Sequence, residues 1–217
     1  MMGTDMQHLL DALEGVTYVT DPRGVIVACG RPGWDRAVRL SDAAVAPRVE
    51  DVLGRSLFDF IGGASVRDSY RLHMERAAAM PERPRVFECR CDTPGLSRVI
   101  RMSIGAVRDD AGKVEGFLFQ SVVVRTSERV PVALFAFPPP PARVEEEEGP
   151  FLGMCSYCQR VRFPAGSAEG QGEWIDAVEY YRRGGDNDVV ISHGICPDCF
   201  EGVVQANLRE VQEFLGR

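Results

Sequence analysis

The chain is short of the groups that most enzymes and most membrane proteins require. Its 217 residues include three histidines, at positions 8, 73 and 193, which leaves an acid–base triad few places to form. Signatures of a P-loop, a Gly-x-Ser-x-Gly elbow, a kinase, a cyclase or an HExxH metalloprotease are all missing. No apolar run approaches the roughly 18 residues of a membrane span. The opening Met1–Gly3 lacks the basic patch and apolar core of a signal peptide. These absences predict a cytoplasmic protein that is not an enzyme and has no membrane partner. Clustered positive charge is scarce too. Net charge is −7; residues 1–125 hold 17 basic against 17 acidic side chains, and residues 149–217 hold 6 against 10. Neutralising phosphates needs grouped Lys and Arg, so no nucleic-acid partner is expected.

What remains is an ordinary globular composition, 45% hydrophobic and 26% charged, with one sharp break. Pro138-Pro139-Pro140-Pro141 runs into Glu145-Glu146-Glu147-Glu148-Gly149-Pro150, a stiff polyproline stretch followed by a solvated acidic block. It reads as a Pro/Glu-rich linker over 126–150, dividing a domain at 1–125 from a module at 151–217. Val130–Phe137 is apolar enough to dock on a neighbour before the prolines begin.

In the first part, Thr4-Asp5-Met6-Gln7 fits a capping box ahead of Met6, Leu9, Leu10 and Leu13 at helical spacing. Val16–Thr20 and Val25–Cys29 form a hairpin around Asp21-Pro22-Arg23-Gly24. Short helical pieces fill 34–60, and Ala64–Met80 is a long helix ended by Pro81 and Pro84. Three β-prone runs follow, Arg85–Cys91, Arg98–Val107 and Val114–Arg125. The order predicts an α+β domain, a five-stranded antiparallel sheet with helices on one side. Tyr18-Val19-Thr20-Asp21-Pro22-Arg23-Gly24-Val25-Ile26-Val27, then Val52-Leu53-Gly54-Arg55-Ser56-Leu57-Phe58-Asp59-Phe60-Ile61 and the closing strands, resemble a PAS domain over about 16–125. The resemblance implies a sensory or interaction module of bacterial signalling, with a ligand pocket between sheet and long helix; separately, a homodimer is expected, for which the outer apolar residues of the chain's last helix could hold a second copy.

In the second part, Cys155-Ser156-Tyr157-Cys158 and Cys196-Pro197-Asp198-Cys199 are two CxxC knuckles 37 residues apart. Two such turns facing each other supply four sulfurs in a tetrahedron, the preference of a structural Zn²⁺. So short a region has little core of its own, and a metal would stabilise much of its fold. On this reading Cys155→Ser or Cys199→Ser unfolds the module and leaves the first 125 residues folded. His193, three residues before Cys196, is an alternative ligand. A thioredoxin-like redox role is disfavoured because neither knuckle reads as a strand-to-helix turn of a βαβ unit; an iron–sulfur cluster is a further use of four cysteines. Trp174, Ala177, Val178 and Tyr181 share a helical face, Val189–Ser192 returns as a strand, and Pro197 opens a final amphipathic helix through Leu215. Met154-Cys155-Ser156-Tyr157-Cys158-Gln159-Arg160-Val161, with Ser192-His193-Gly194-Ile195-Cys196-Pro197-Asp198-Cys199, resembles the small cysteine-rich tail of bacterial PAS and response-regulator-type proteins. That resemblance implies a signalling context and zinc, and no defined activity; with no kinase, DNA-binding or cyclase output recognisable, the chain is expected to act through a protein partner.

A pocket ligand has one candidate cofactor. His73 lies on the long helix, where haem-binding PAS domains place an axial histidine, and Cys89, Cys91 and Met102 offer a sulfur opposite. Strand alternation puts Phe87, Cys89 and Cys91 on one face. The other reading makes the sulfurs core filler and sets His73 at the edge of its helix's apolar face, within reach of solvent. The two function classes left open are a signal sensor, haem-based or otherwise, and a constitutive protein-interaction scaffold.

Overall fold

A computed structural model describes residues 3–40, 47–135, 150–168, 171–185 and 187–216. The first part runs α1 (Gly3–Ala12), β1 (Val16–Thr20), β2 (Ile26–Cys29), α2 (Arg31–Leu40), α3 (Val49–Val52), a 3₁₀ turn at Leu57–Asp59, α4 (Ala64–Ala79), β3 (Arg85–Arg90), β4 (Leu96–Arg108) and β5 (Val114–Glu128). All strand pairs are antiparallel, in the order β2-β1-β5-β4-β3. Asp21 shapes the first hairpin, its carboxylate accepting from the backbone N–H groups of Arg23 and Val25 at 2.8 Å each. Asp109 does the same before β5, accepting from Ala111 and Lys113. The inward faces of β3, β4 and β5, with Phe87, Met102, Ile104, Phe117 and Phe119, pack under Met74 and Ala77 of α4.

Two sequence expectations change here. β3 ends at Arg90, so Cys91 leaves the alternation and is exposed. His73 does not reach solvent; it is 0% exposed, because the C-terminal module covers that flank of α4.

The first residues of the expected linker carry regular structure. β5 continues to Glu128, and Val132 and Phe135 are buried against the second part, as the apolar character of 130–137 suggested. The polyproline and acidic blocks lie outside the described residues. The second part runs β6 (Phe151–Cys155), β7 (Val161–Phe163), β8 (Glu173–Ile175), α5 (Ala177–Arg182), β9 (Val190–Gly194) and α6 (Pro197–Cys199); a π-helical stretch, Phe200–Gln205, leads into α7 (Ala206–Leu215). Trp174 belongs to β8 rather than to a helix, because Asp176 caps α5 by accepting from the Val178 N–H. The tyrosine that α5 buries is therefore Tyr180, not Tyr181.

Strand order in the second sheet is β8-β7-β6-β9, with β6 and β9 parallel and Cys155 opposite Gly194. A parallel pair brings both strands to the same end, which is what sets the two knuckles side by side. Cys155, Tyr157, Cys196 and Val204 belong to the same buried cluster as the interior of the first part, so the two parts share a core.

Candidate metal centre

The sulfurs of Cys155, Cys158, Cys196 and Cys199 all lie within 4.8 Å of one another. A tetrahedral ion with metal–sulfur bonds of about 2.3 Å spaces its sulfurs about 3.8 Å apart; Cys158 Sγ and Cys196 Sγ are 3.7 Å apart. Geometry and donor set therefore fit a closed tetrathiolate site. His193 is not in the cluster.

Each knuckle has a local cause. In the first, the Cys155 N–H donates to Arg160 O and the Gln159 N–H to Cys155 O, both at 2.8 Å. Gln159 takes a left-handed conformation, φ 57°, to close the turn. Its side chain is anchored by the Asp92 N–H, which donates to Oε1 at 2.8 Å. In the second, Cys196 is the N-cap of α6 with Pro197 at the first helical position, and its N–H donates to Cys155 Sγ at 3.4 Å. Both knuckles thus follow strands and the second does open a helix, contrary to the sequence expectation. The sulfurs nevertheless converge as four.

Arg160 supplies positive charge. Its guanidinium donates to Cys158 Sγ at 3.4 Å, to Cys196 Sγ at 3.5 Å and to Asp198 at 2.6 Å. Hydrogen bonds from Cys155 and Cys199, then from Arg160, hold the Cys158 thiol far below its ordinary pKa. Cys155 is pushed up to about 11 and Cys199 is raised as well, chiefly through the same sulfur–sulfur hydrogen bonds. The Arg160 guanidinium thus favours a thiolate at Cys158, and a cation among the sulfurs would favour the thiolate form of its ligands.

The first knuckle also reaches into the first part. Tyr157, between Cys155 and Cys158, is 4% exposed. Its hydroxyl lies 2.9 Å from Ser69 Oγ and 2.9 Å from His73 Nε2, both on α4, while Phe87 packs edge-on to its ring. Arg85 donates from Nε to His73 Nδ1 at 3.4 Å and from its other end to Val203 O at 3.0 Å. Farther along, Arg76 pairs with Glu210 of α7 at 2.7 Å, and Asn207 donates to Leu72 O at 3.3 Å. Nothing in residue spacing announced Tyr157 as a contact residue; the one available signal was an aromatic inside a metal knuckle.

These contacts decide how the proposed haem residues are used. Both ring nitrogens of His73 are engaged, and its ring stacks on Phe87 at 4.5 Å. Cys89 and Met102 are buried in the core and Cys91 lies outside it. The arrangement does not fit an axial haem ligand. Burial, then Arg85 and Arg76, drives the His73 pKa from 6.5 down to about 3. Between those two values the unfolded chain binds a proton that folded His73 does not. The stability from neutral His73 is thus complete above about 6.5 and declines as pH falls toward 3, by up to about 1.4 kcal/mol per unit. Urea unfolding at about pH 7.5 and about pH 5 should show the wild type losing about 2 kcal/mol more over that interval than His73→Gln; equal losses would mean that the imidazole titrates freely.

Between the two parts lies a cavity of about 270 Å³, lined by Phe60, Ile61, Gly62, Val66, Tyr70, Cys89, Ser156, Tyr157 and His193. His193 is brought there by a close approach of β9 to the loop before α4. A Cβ on Gly62 would lie 2.8 Å from His193 Cδ2, and one on Gly63, φ 81°, would lie 2.2 Å from His193 O. Burial lowers the His193 pKa.

The family model described as "PAS fold" matches residues 10–129. Among solved structures, the chain is similar to the PAS domain of Bordetella pertussis BvgS, with 20% identity over 56% of this chain and 85% of that one and a TM-score of 0.43. It is similar to a sensory box sensor histidine kinase from Vibrio cholerae, with 14% identity over 55% of this chain and 90% of that one, TM-score 0.39. It is also similar to a phage VqmA in complex with DPO, with 16% identity over 55% and 51% of the two chains, TM-score 0.42. None of the curated proteins matches. The sheet order, the long helix over its inner face and the extent of the family match together place the chain in the PAS-fold family.

Proposed function

We propose that this protein is a cytoplasmic signal-input adaptor in which the PAS domain receives the stimulus and a structural zinc ion holds the C-terminal module against it. The joined surface then acts on a partner protein, with the chain working as a homodimer and without catalysis. The observation that carries this reading is Tyr157: a residue inside the first knuckle is hydrogen-bonded to Ser69 and His73 of α4. Any shift of α4 in response to a stimulus would move that turn, and any loosening of the knuckle would strip two partners from α4. Bound zinc would supply folding free energy of the order seen in zinc-finger peptides, about 10–16 kcal/mol apparent. Four cysteine ligands leave no open coordination position for a substrate, which supports a structural role over a catalytic one.

Hydrogen exchange on the full chain, with zinc bound and after chelation, tests the coupling. Chelation is expected to speed exchange of the α4 amides about ten-fold or more, because a partly uncovered helix opens more often. If the metal leaves and α4 keeps its protection, the module does not report to the PAS domain and the reading fails.

A further inference from the structure

The cavity at the seam has the chemistry of a binding site. Its wall on the PAS side is apolar, from Phe60, Ile61 and Val66, with Tyr70 beside them; Ser156 and His193 close it from the module. The side chains of Tyr70, Ser156 and His193 make no hydrogen bond among the described residues. Three unengaged polar groups around an otherwise apolar hollow resemble the few orienting contacts of small-molecule sites.

Charge and size narrow the class. No Arg, Lys, Asp or Glu lines the cavity, so an ionic ligand would be desolvated there without a counter-charge. A volume of 270 Å³ equals that of roughly nine liquid waters, which suits one substituted ring or a fused pair. Tyr70 and Tyr157 supply aromatic surface for such a ring.

We propose that this seam cavity binds a small uncharged aromatic molecule with a hydrogen-bonding edge, held jointly by the PAS domain and the C-terminal module. The inference rests on the reading that metal keeps the module docked. A ligand there touches both parts at once, so it favours the docked arrangement by the contacts it loses when the parts separate.

Indole serves as the probe and benzoate as its charged counterpart. Both are titrated into the full chain by calorimetry, with zinc content measured on the same samples. Saturable indole binding at one site per chain is expected, with benzoate at least about ten-fold weaker. Ile61→Trp, which fills the hollow, should weaken indole about ten-fold or more. His193→Leu, which keeps bulk but removes the ring nitrogens, should weaken it by up to about ten-fold, the worth of one hydrogen bond; it also covers the case in which the tryptophan variant does not fold. Absent indole binding, equal benzoate binding, or an affinity that neither variant changes would overturn the proposal. Full zinc with no indole binding sinks the cavity alone, whereas indole binding without zinc sinks the metal reading and leaves the cavity standing.

Discussion

Cys196→Ser is expected to cost the chain its metal and to lower the melting temperature of the PAS domain along with that of the module. Cys196 is 0% exposed and its sulfur faces Cys158, so a serine there leaves three thiolates and an alcohol that holds zinc poorly. Most of the roughly 10–16 kcal/mol of a structural zinc site would be lost, as much as the whole stability of an ordinary domain. From the sequence alone the first 125 residues were expected to be indifferent to such a change. Packing argues otherwise. His73, Arg76 and Arg85 are 0%, 6% and 7% exposed because the module lies over them, and uncovering two arginines and a hydrogen-bonded imidazole removes partners as well as shelter. Metal stoichiometry and a thermal melt followed in both parts would decide it. Full zinc and an unchanged melting curve would refute the site; a PAS transition that stays put while the module unfolds would refute the coupling.

The second large effect belongs to Tyr157, where two substitutions separate hydroxyl from ring. Tyr157→Phe keeps the ring against Phe87 and removes the partner of His73 Nε2, a buried loss of about 1–3 kcal/mol. Ser69 keeps its bond to Val66 O at 2.8 Å and suffers less. Tyr157→Ala removes the ring as well, leaving a cavity among Tyr70, His73 and Phe87, and aromatic-to-alanine changes in cores cost about 3–5 kcal/mol. Denaturant midpoints are expected to fall in the order wild type, Phe, Ala, with zinc retained by the phenylalanine variant. A Tyr157→Ala protein as stable as wild type would mean that the knuckle merely rests on the domain.

Much of this architecture is legible in local signals. Asp21 and Asp109 mark their hairpins, alternation in Arg85–Arg90 marks a strand with Phe87 and Cys89 inward, and the two CxxC pairs mark the four-cysteine cluster. The readings that change depend on contacts distant in sequence. His73 sits at the edge of an apolar helical face, and only the arrival of Tyr157, 84 residues later, makes that edge an interior. Trp174 fits a helical face with Ala177 until β8 pairs with β7 and Asp176 caps the helix one residue later. Cys91 obeys the strand's period, but the strand stops before it. Periodicity describes one element at a time, whereas burial is settled by what covers it.

The grip of α7 on α4 also bears on how the protein is made. Arg76 and Glu210, like Leu72 and Asn207, are separated by 134 and 135 residues, so their contacts carry the slow loop closure of non-local folding. Domains fold from the N-terminus as they leave the ribosome, at about 5–20 residues per second. The flank of α4 that holds His73 and Arg76, with Arg85 of β3 beside it, therefore waits roughly ten seconds or more for its cover. During translation the nascent chain presents a half-clad helix and four free thiols, so under the proposed metal reading the supply of that ion would become a condition of successful synthesis rather than a later embellishment.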